Sequence, residues 1–332
     1  VVQLLLCLHL PWSAPYPFVI NIENTLAQVI VMPSHTSTSD PLELPQRTTT
    51  YLGRRTDSRR WDQFKPRADD VFICTPPKCG TTWTQAICAM LIFGRADFDN
   101  KIGDVSPWLD ANMISIEACL QTLDAQTHRR FIKTHTPLDG IRHFASSQYL
   151  MVYRDPRDAY FSMRNHHNNA RDAPQLPQMA TDPCAGFRTW LDTPFEPGVG
   201  EQRSLAAFVH HYESFRRFRE RANFHFFHYA DHKRDLRGSF TRIAGILGIE
   251  LPSATLDELS TAATFDNMKA KSATYAPGVG LGIWKDDTAF FNKGQNAQWR
   301  DVLGSSELNH YAHRIGQLLP AADIAWLENG SQ

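Results

Sequence analysis

From about residue 70 onward the chain alternates short, almost unbroken apolar runs with longer stretches whose apolar positions recur every three or four residues. The runs are Val71–Cys74, Phe131–Lys133, Tyr149–Tyr153 and Phe224–Tyr229. Each is rich in β-branched or aromatic residues and lacks the in–out alternation of a half-exposed strand. That pattern predicts strands of a sheet buried on both faces. The periodic stretches predict helices. Thr81–Phe93 places Trp83, Ile87, Met90 and Leu91 on one face, and Pro156 opens a helix running through Ser162 to about Asn165. Leu205–Arg221, Leu236–Leu247 and Ser305–Leu319 follow, the last two stopped by Gly248 and Pro320. Alternating strands and helices predict an α/β fold, a central parallel sheet flanked by helices on both faces.

One segment breaks the rhythm. Residues 166–203 hold Pro174, Pro177, Pro183, Pro194 and Pro197 together with Gly186, Gly198 and Gly200. This reads as a long irregular insertion, either a surface excursion or a cover. Phe187, Trp190, Leu191 and Phe195 favour a cover that packs on something apolar. At the other end, the apolar run Val1–Leu10 is cut off by Pro11, is too short to span a bilayer and lacks the basic leader of a signal peptide. Residues 33–50 are rich in Ser, Thr and Pro. The reading is a poorly structured extension over 1–47 and one domain over 48–332, with no transmembrane segment.

Composition narrows the partners. The 332 residues are 42% hydrophobic and 21% charged, with a net charge of −1. No global basic field exists to draw in nucleic acid, so any anion must be recognised locally. The six cysteines are scattered, several inside apolar runs, which suits buried thiols in a reducing, cytoplasmic setting.

The local candidate is TPPKCGTTWTQ, residues 75–85, between the strand Val71–Cys74 and the helix that starts at Thr81. A strand, a tight loop and a helix start point backbone N–H groups at an anion, with the helix dipole behind them. Gly80 lets the main chain come close, Lys78 brings a cation, Thr81 and Thr82 bring hydroxyls, and Trp83 offers a flat face for a base. The pattern GxxxxGK[ST] of nucleotide-hydrolysing loops is absent.

PKCGTTW resembles the PKSGTTW loop of the cytosolic-type sulfotransferases, with Cys79 in place of serine. That family has a P-loop-like fold and binds 3′-phosphoadenosine 5′-phosphosulfate (PAPS), releasing adenosine 3′,5′-bisphosphate (PAP). YRDPRDAYFS (153–162) resembles its second signature, which implies that Arg154 and Ser162 hold the 3′-phosphate. A forked guanidinium suits a terminal phosphate monoester. FIKTHTPL (131–138) resembles the family's KTH segment, which implies that His135 is the general base. The resemblance further implies that Lys78 neutralises the leaving nucleotide, that Ser162 holds Lys78 back until the acceptor arrives, and that Lys133 stabilises the transferring oxygens. Tyr229 and Phe265 stand where the family contacts adenine, Phe265 opposite Trp83.

FFNKGQNAQWR (290–300) resembles the segment RKGxxGxW that closes over the 3′-phosphate. Lys293, Gly294 and Trp299 match it, while Asn292 replaces the arginine, Ala297 the second glycine and Gln298 an acidic residue. One lost charge-assisted contact corresponds to about 1.5–3 kcal/mol of donor affinity. A thiol at position 79 is either a packed core group or, beside Lys78 at a helix start, one with a lowered pKa. VSPWLD (105–110) and HYAD (228–231) resemble the bacterial branch, some members of which take glycolipids. The implied partner is a small-molecule or lipid acceptor with a hydroxyl or amine, and the implied state a monomer or weak homodimer. Phe187, Trp190, Trp108 and Tyr160 are candidates for an apolar acceptor pocket.

Three other readings compete. They are a nucleotide kinase or NTPase, a non-catalytic PAP-binding protein, and a zinc enzyme using His225, His228 and His232 or His310 and His313. No Cys/His set has standard zinc spacing, so no metal site is expected.

Overall fold

Four strands, β1 (Val71–Cys74), β2 (Phe131–Thr134), β3 (Gln148–Tyr153) and β4 (Phe224–His228), lie parallel in the order β2-β1-β3-β4. Val71 stands opposite Phe131 on one side and Gln148 on the other, and Tyr153 stands opposite His228. The computed structural model describes residues 44–331 apart from Asp99. These belong to a compact unit spanning Thr38–Gln332. The expected extension over 1–47 lies outside the described residues except for 44–47.

Alternation along the strands explains why their sequences look uniformly apolar. Phe72, Cys74, Ile132, Tyr149, Met151 and Tyr153 point to one core. Val71, Ile73, Phe131, Leu150 and Val152 point to the other. The first core is closed by the helices Leu205–Arg216 and Ser305–Leu318, the second by Thr81–Phe93, Leu236–Leu247 and Ser253–Ala262. Each large apolar side chain buried this way contributes roughly 1.5–3 kcal/mol. The helix Thr81–Phe93 begins and ends where its pattern predicts, stopped by Gly94 in the left-handed region at φ 66°. The Pro156 helix runs on to Asn169, and Leu205–Arg216 ends before the expected Arg221.

The insertion is a correction. Within 166–203 the chain forms the helix Pro183–Asp192, with Pro183 in its first turn and Asp182 accepting from the N–H groups of Cys184 (3.0 Å) and Ala185 (3.2 Å). Phe187 and Leu191 are fully buried beneath it and Trp190 nearly so. They stack against Tyr160, Phe161 and Tyr311 as part of the first core. The helix is therefore a structural layer, whereas Val199, Glu201 and Arg203 beyond it line the cavity at the sheet's end. Phe195, beyond the helix, is the aromatic of this group that leaves the core; it stacks on His210 with ring centroids 4.0 Å apart.

The amino end of the sheet is tied by ions. Arg130, next to β2, gives Asp70, next to β1, two hydrogen bonds of 2.7 and 2.6 Å, and both side chains are at most 1% exposed. Arg67 N and the Lys65 carbonyl complete the set. Removing one partner of a buried pair strands the other charge. Asp70→Ala is accordingly expected to cost about 3–5 kcal/mol in urea unfolding, whereas Asp70→Ala with Arg130→Met recovers most of that loss. Equal losses in the single and double variants would show that packing, and not the stranded charge, sets the cost.

Candidate active site

The loop 75–80 rises from the carboxyl end of β1 into the Thr81 helix. Lys78 (φ 70°) and Gly80 (φ 105°) both sit in the left-handed region. A Cβ at Gly80 would lie 3.1 Å from the Tyr229 ring, so glycine serves both the backbone turn and the close approach. The helix has no side-chain N-cap, which leaves its first N–H groups for an external anion. Thr81 Oγ1 lies 2.6 Å from Thr75 Oγ1, and Thr82 lines the cavity above. Cys79 is fully buried in the first core. Burial pushes its thiol up to about 12, so of its two readings the packed group is correct.

At the end of β2, His135 is oriented by the main chain of the neighbouring loop. Its Nδ1 lies 2.8 Å from the Thr75 carbonyl, which requires Nδ1–H and leaves Nε2 as the proton acceptor. The ring stands edge-on to Trp108 at 5.0 Å. The Lys133 ammonium sits 4.9 Å from the centre of the same indole. Burial and the Lys133 charge bring the imidazole down to about 3, so it is neutral near pH 7. Asp110 locks this corner, accepting from Thr134 Oγ1 (2.5 Å), Thr136 Oγ1 (2.6 Å) and Trp61 Nε1 (3.1 Å).

Lys78 and Lys133 are both held below the ordinary lysine range, at about 8. Burial is the main cause for each, and the charges of Arg154 and Lys133 add to it at Lys78. Lys78 Nζ lies over the Phe290 ring at 4.9 Å and 3.4 Å from His166 Nδ1. Ser162 lines the same cavity, but the group beside Lys78 is His166, one helical turn further along the Pro156 helix. Burial keeps His166 neutral, so its ring nitrogen can accept from the ammonium.

At the end of β3, Arg154 is 4% exposed and stacks on Tyr229 at 4.2 Å. Its Nη2 donates to the Gln295 carbonyl at 2.6 Å, while its Nε is buried with no partner among the described residues. Asp158 is 3.9 Å away, and it already accepts from the N–H groups of Ala297 (2.8 Å) and Gln298 (2.9 Å). Ala297 adopts φ 60°, a left-handed conformation that costs a residue with a Cβ about 1–2 kcal/mol. A glycine would avoid that cost.

Trp83, Phe265, Asn292, Lys293 and Gly294 join these groups around one cavity of about 760 Å³. Trp83 is pinned by Nε1 to the Ala263 carbonyl at 2.8 Å and meets Tyr229 edge-on at 5.3 Å. Of the nucleotide-site and catalytic residues named from the sequence, Ala297, Trp299 and the buried Cys79 do not line the cavity and the others do. Trp190, Trp108 and Tyr160 line it too, whereas Phe187 lies behind them. Arg55, Glu201 and Arg203 form a polar belt, and the outer lining includes Met113, Ile114, Val199, Leu281 and Ile283. Those five are among the eight large hydrophobic residues that are exposed among the described residues, so the apolar exposure is concentrated at this mouth.

The sequence reading missed Thr75, His166 and Lys233. Lys233 was within reach of a periodicity argument, because it stands four residues after Tyr229 on one short helix. The histidines considered for zinc are spoken for separately: His225 by Gln148 (2.7 Å), His228 by the Leu327 carbonyl (3.0 Å), His232 by Ser239 (2.8 Å). Among the described residues no group of three or more His, Cys, Asp or Glu converges as metal ligands do. Nor is any helix there long and apolar enough to cross a membrane.

Comparison with known proteins agrees with this geometry. The family described as "Sulfotransferase domain" matches residues 68–320. The chain is similar to a glycolipid sulfotransferase of Mycobacterium tuberculosis, with 36% identity over 84% of this chain and 94% of that protein. It is 29% identical to human sulfotransferase 2B1 over 75% of this chain and 66% of that one. In structure it resembles mouse sulfotransferase SULT7A1 complexed with PAP (TM-score 0.61, 19% identity, covering 80% of this chain and 88% of that one). It also resembles a retinol dehydratase in complex with androsterone and PAP (TM-score 0.64, 22% identity, 79% and 84%).

The clustered lysines carry a measurable cost. The folded state holds the Lys78 ammonium at about 8 against an ordinary 10.5. The penalty is therefore fully present below about pH 8 and disappears as pH rises from about 8 to 10.5. Lys78→Met is expected to stabilise the ligand-free protein by about 1–3 kcal/mol at pH 7, with the gap closing by about pH 10.5. Denaturant unfolding of both proteins across this range checks it; a Lys78→Met variant less stable at pH 7 would contradict the assignment.

Proposed function

The chain belongs to the sulfotransferase domain family and transfers a sulfuryl group from PAPS, and we propose that the acceptor is a hydroxyl on the polar head of a glycolipid-like amphiphile. The main support is the single cavity that joins the anion-binding loop at Gly80, the buried Arg154 and His135. The unpartnered Arg154 Nε fits a phosphate, and the close approach at Gly80 fits a nucleotide's main-chain cradle. The acceptor class is supported by the polar belt below an apolar mouth, and by the glycolipid sulfotransferase to which the chain is most fully alignable among the relatives described above.

In this reading PAPS supplies an activated sulfuryl group. Its 5′ end lies on the main chain of 78–82 with Lys78, its base between Trp83 and Phe265 beside Tyr229, and its 3′-phosphate at Arg154, Ser162 and Lys293. His135 Nε2 takes the acceptor proton as the new S–O bond forms and the bond to the bridging phosphate oxygen breaks. Lys78 leaves His166 to neutralise that oxygen, and Lys133 steadies the transferring oxygens. An imidazole held near 3 is a poor base; burial is the main cause, and the part due to charge has a remedy. Lys133 and Lys78 both depress it, and an anion bound between them offsets their charge and raises its basicity. The transferring group carries less charge than a phosphoryl group, so positioning and fixed cations suffice without a magnesium clamp.

The test is a labelled-sulfate assay across phenols, sterols, fatty alcohols and glycolipids. Transfer to glycolipid in the presence of excess EDTA is the expected outcome, and transfer confined to small phenols would reject the acceptor class. His135→Ala is expected to lower kcat at least ~100-fold while leaving PAP affinity within about two-fold. An unchanged kcat would remove His135 from its role.

A further inference from the structure

The carboxyl-terminal segment that closes over the nucleotide has Asn292 where the resembled sequence has arginine. A second cation nevertheless reaches this end of the cavity. Arg154 arrives from the end of β3, and Lys233 arrives from the short helix Tyr229–Arg234. They hold the carbonyls of two consecutive residues. Arg154 Nη2 donates to the Gln295 carbonyl at 2.6 Å, and Lys233 Nζ donates to the Gly294 carbonyl at 2.6 Å. Both residues line the cavity, and Arg154 Nε has no partner there. The peptide is held in place from behind. Gly294 adopts φ 60°, and a Cβ on it would lie only 2.4 Å from the Phe265 ring. Asp158, the carboxylate facing Arg154, is already committed to the N–H groups of Ala297 and Gln298. Burial, then the Arg154 charge, lower the Lys233 ammonium from its ordinary range. The buried Arg154 and the exposed Lys233 thus hold adjacent carbonyl oxygens at one end of the cavity, an arrangement that favours an anion.

We infer that Lys233 is a binding residue for the ribose 3′-phosphate, replacing the arginine that Asn292 displaces. This rests on the PAPS reading above. The Gly294 carbonyl holds Lys233 in register with Arg154, and the ammonium turns from that neutral acceptor to a phosphate oxygen when the nucleotide enters. The charge removed at position 292 is thereby restored from a different element of the fold.

Calorimetry with PAP and with adenosine 5′-phosphate, which lacks the 3′-phosphate, tests this on the full chain. The wild type is expected to prefer PAP. Lys233→Met is expected to weaken PAP about ten-fold or more, the scale of one lost charge-assisted contact, while leaving adenosine 5′-phosphate within about two-fold. Adding Asn292→Arg to Lys233→Met is expected to restore the preference. If Lys233→Met weakens both ligands alike, Lys233 only tethers the segment and the inference is wrong. If it weakens neither, the inference is wrong and the PAPS reading stands. A wild type that makes no distinction between the two nucleotides would overturn both.

Discussion

The site is organised by an excess of buried positive charge at the carboxyl edge of a parallel sheet. Lys78, Lys133 and Arg154 come from the ends of three neighbouring strands and share one cavity, where the nearby carboxylates Asp110 and Asp158 are occupied by other donors. Desolvation is costly to an ammonium, and burial holds both lysines at about 8, with the charges of Arg154 and Lys133 adding to it at Lys78. Burial, then the Lys133 charge, keep His135 neutral, and one nitrogen of Arg154 has no partner among the described residues. A bound polyanion would relieve all of these tensions together.

Such an imbalance persists only on a rigid support. The strand ends are fixed by register and by cores on both faces of the sheet. At the opposite edge the Asp70–Arg130 pair holds the amino end with its charges matched. Matched ions at one end and unmatched ions at the other fit the rule that open parallel sheets put their chemistry beyond the carboxyl ends of the strands. The cations stay close because the backbone leaves them nowhere else to go: Lys78 is turned inward by its own left-handed φ, and Arg154 is flattened on Tyr229.

Much of this was legible in the sequence because it depends on local pattern. The four apolar runs became the four strands, since strands buried on both faces need no alternation. The Thr81 helix was legible from its period, and the structure ends it at Gly94. The helix Pro183–Asp192 was obscured by the prolines around it. Yet Asp182-Pro183 is a capping residue followed by a first-turn proline, a helix start and not a break. What the sequence could not show is contact between distant segments. The Thr75 carbonyl that sets the His135 tautomer is 60 residues away, and the His166 ring beside Lys78 is 88 away. Each such contact exists only once the strand order is known.

The acceptor end of the cavity follows the opposite logic. Arg55, Glu201 and Arg203 offer a mixed set of charges suited to a neutral head with many hydroxyls, where no single strong ion is wanted. Beyond them, Met113, Ile114, Val199, Leu281 and Ile283 come from loops on both sides of the mouth. These loops are braced in two groups. Leu52 pairs with Val199, and Asn112 N bonds the Arg55 carbonyl; across the mouth, Ala170 pairs with Trp284, and Arg171 N bonds the Ile283 carbonyl. The apolar tips are thus carried on braced loops, which would lower the entropy lost on gripping an alkyl chain of the proposed acceptor. A cavity that is cationic at one end and apolar at the other sorts its two substrates by chemistry before any geometry is tested. On the proposed reading, the nucleotide's charges and the acceptor's tail face opposite ends, and the hydroxyl to be modified lies beside His135.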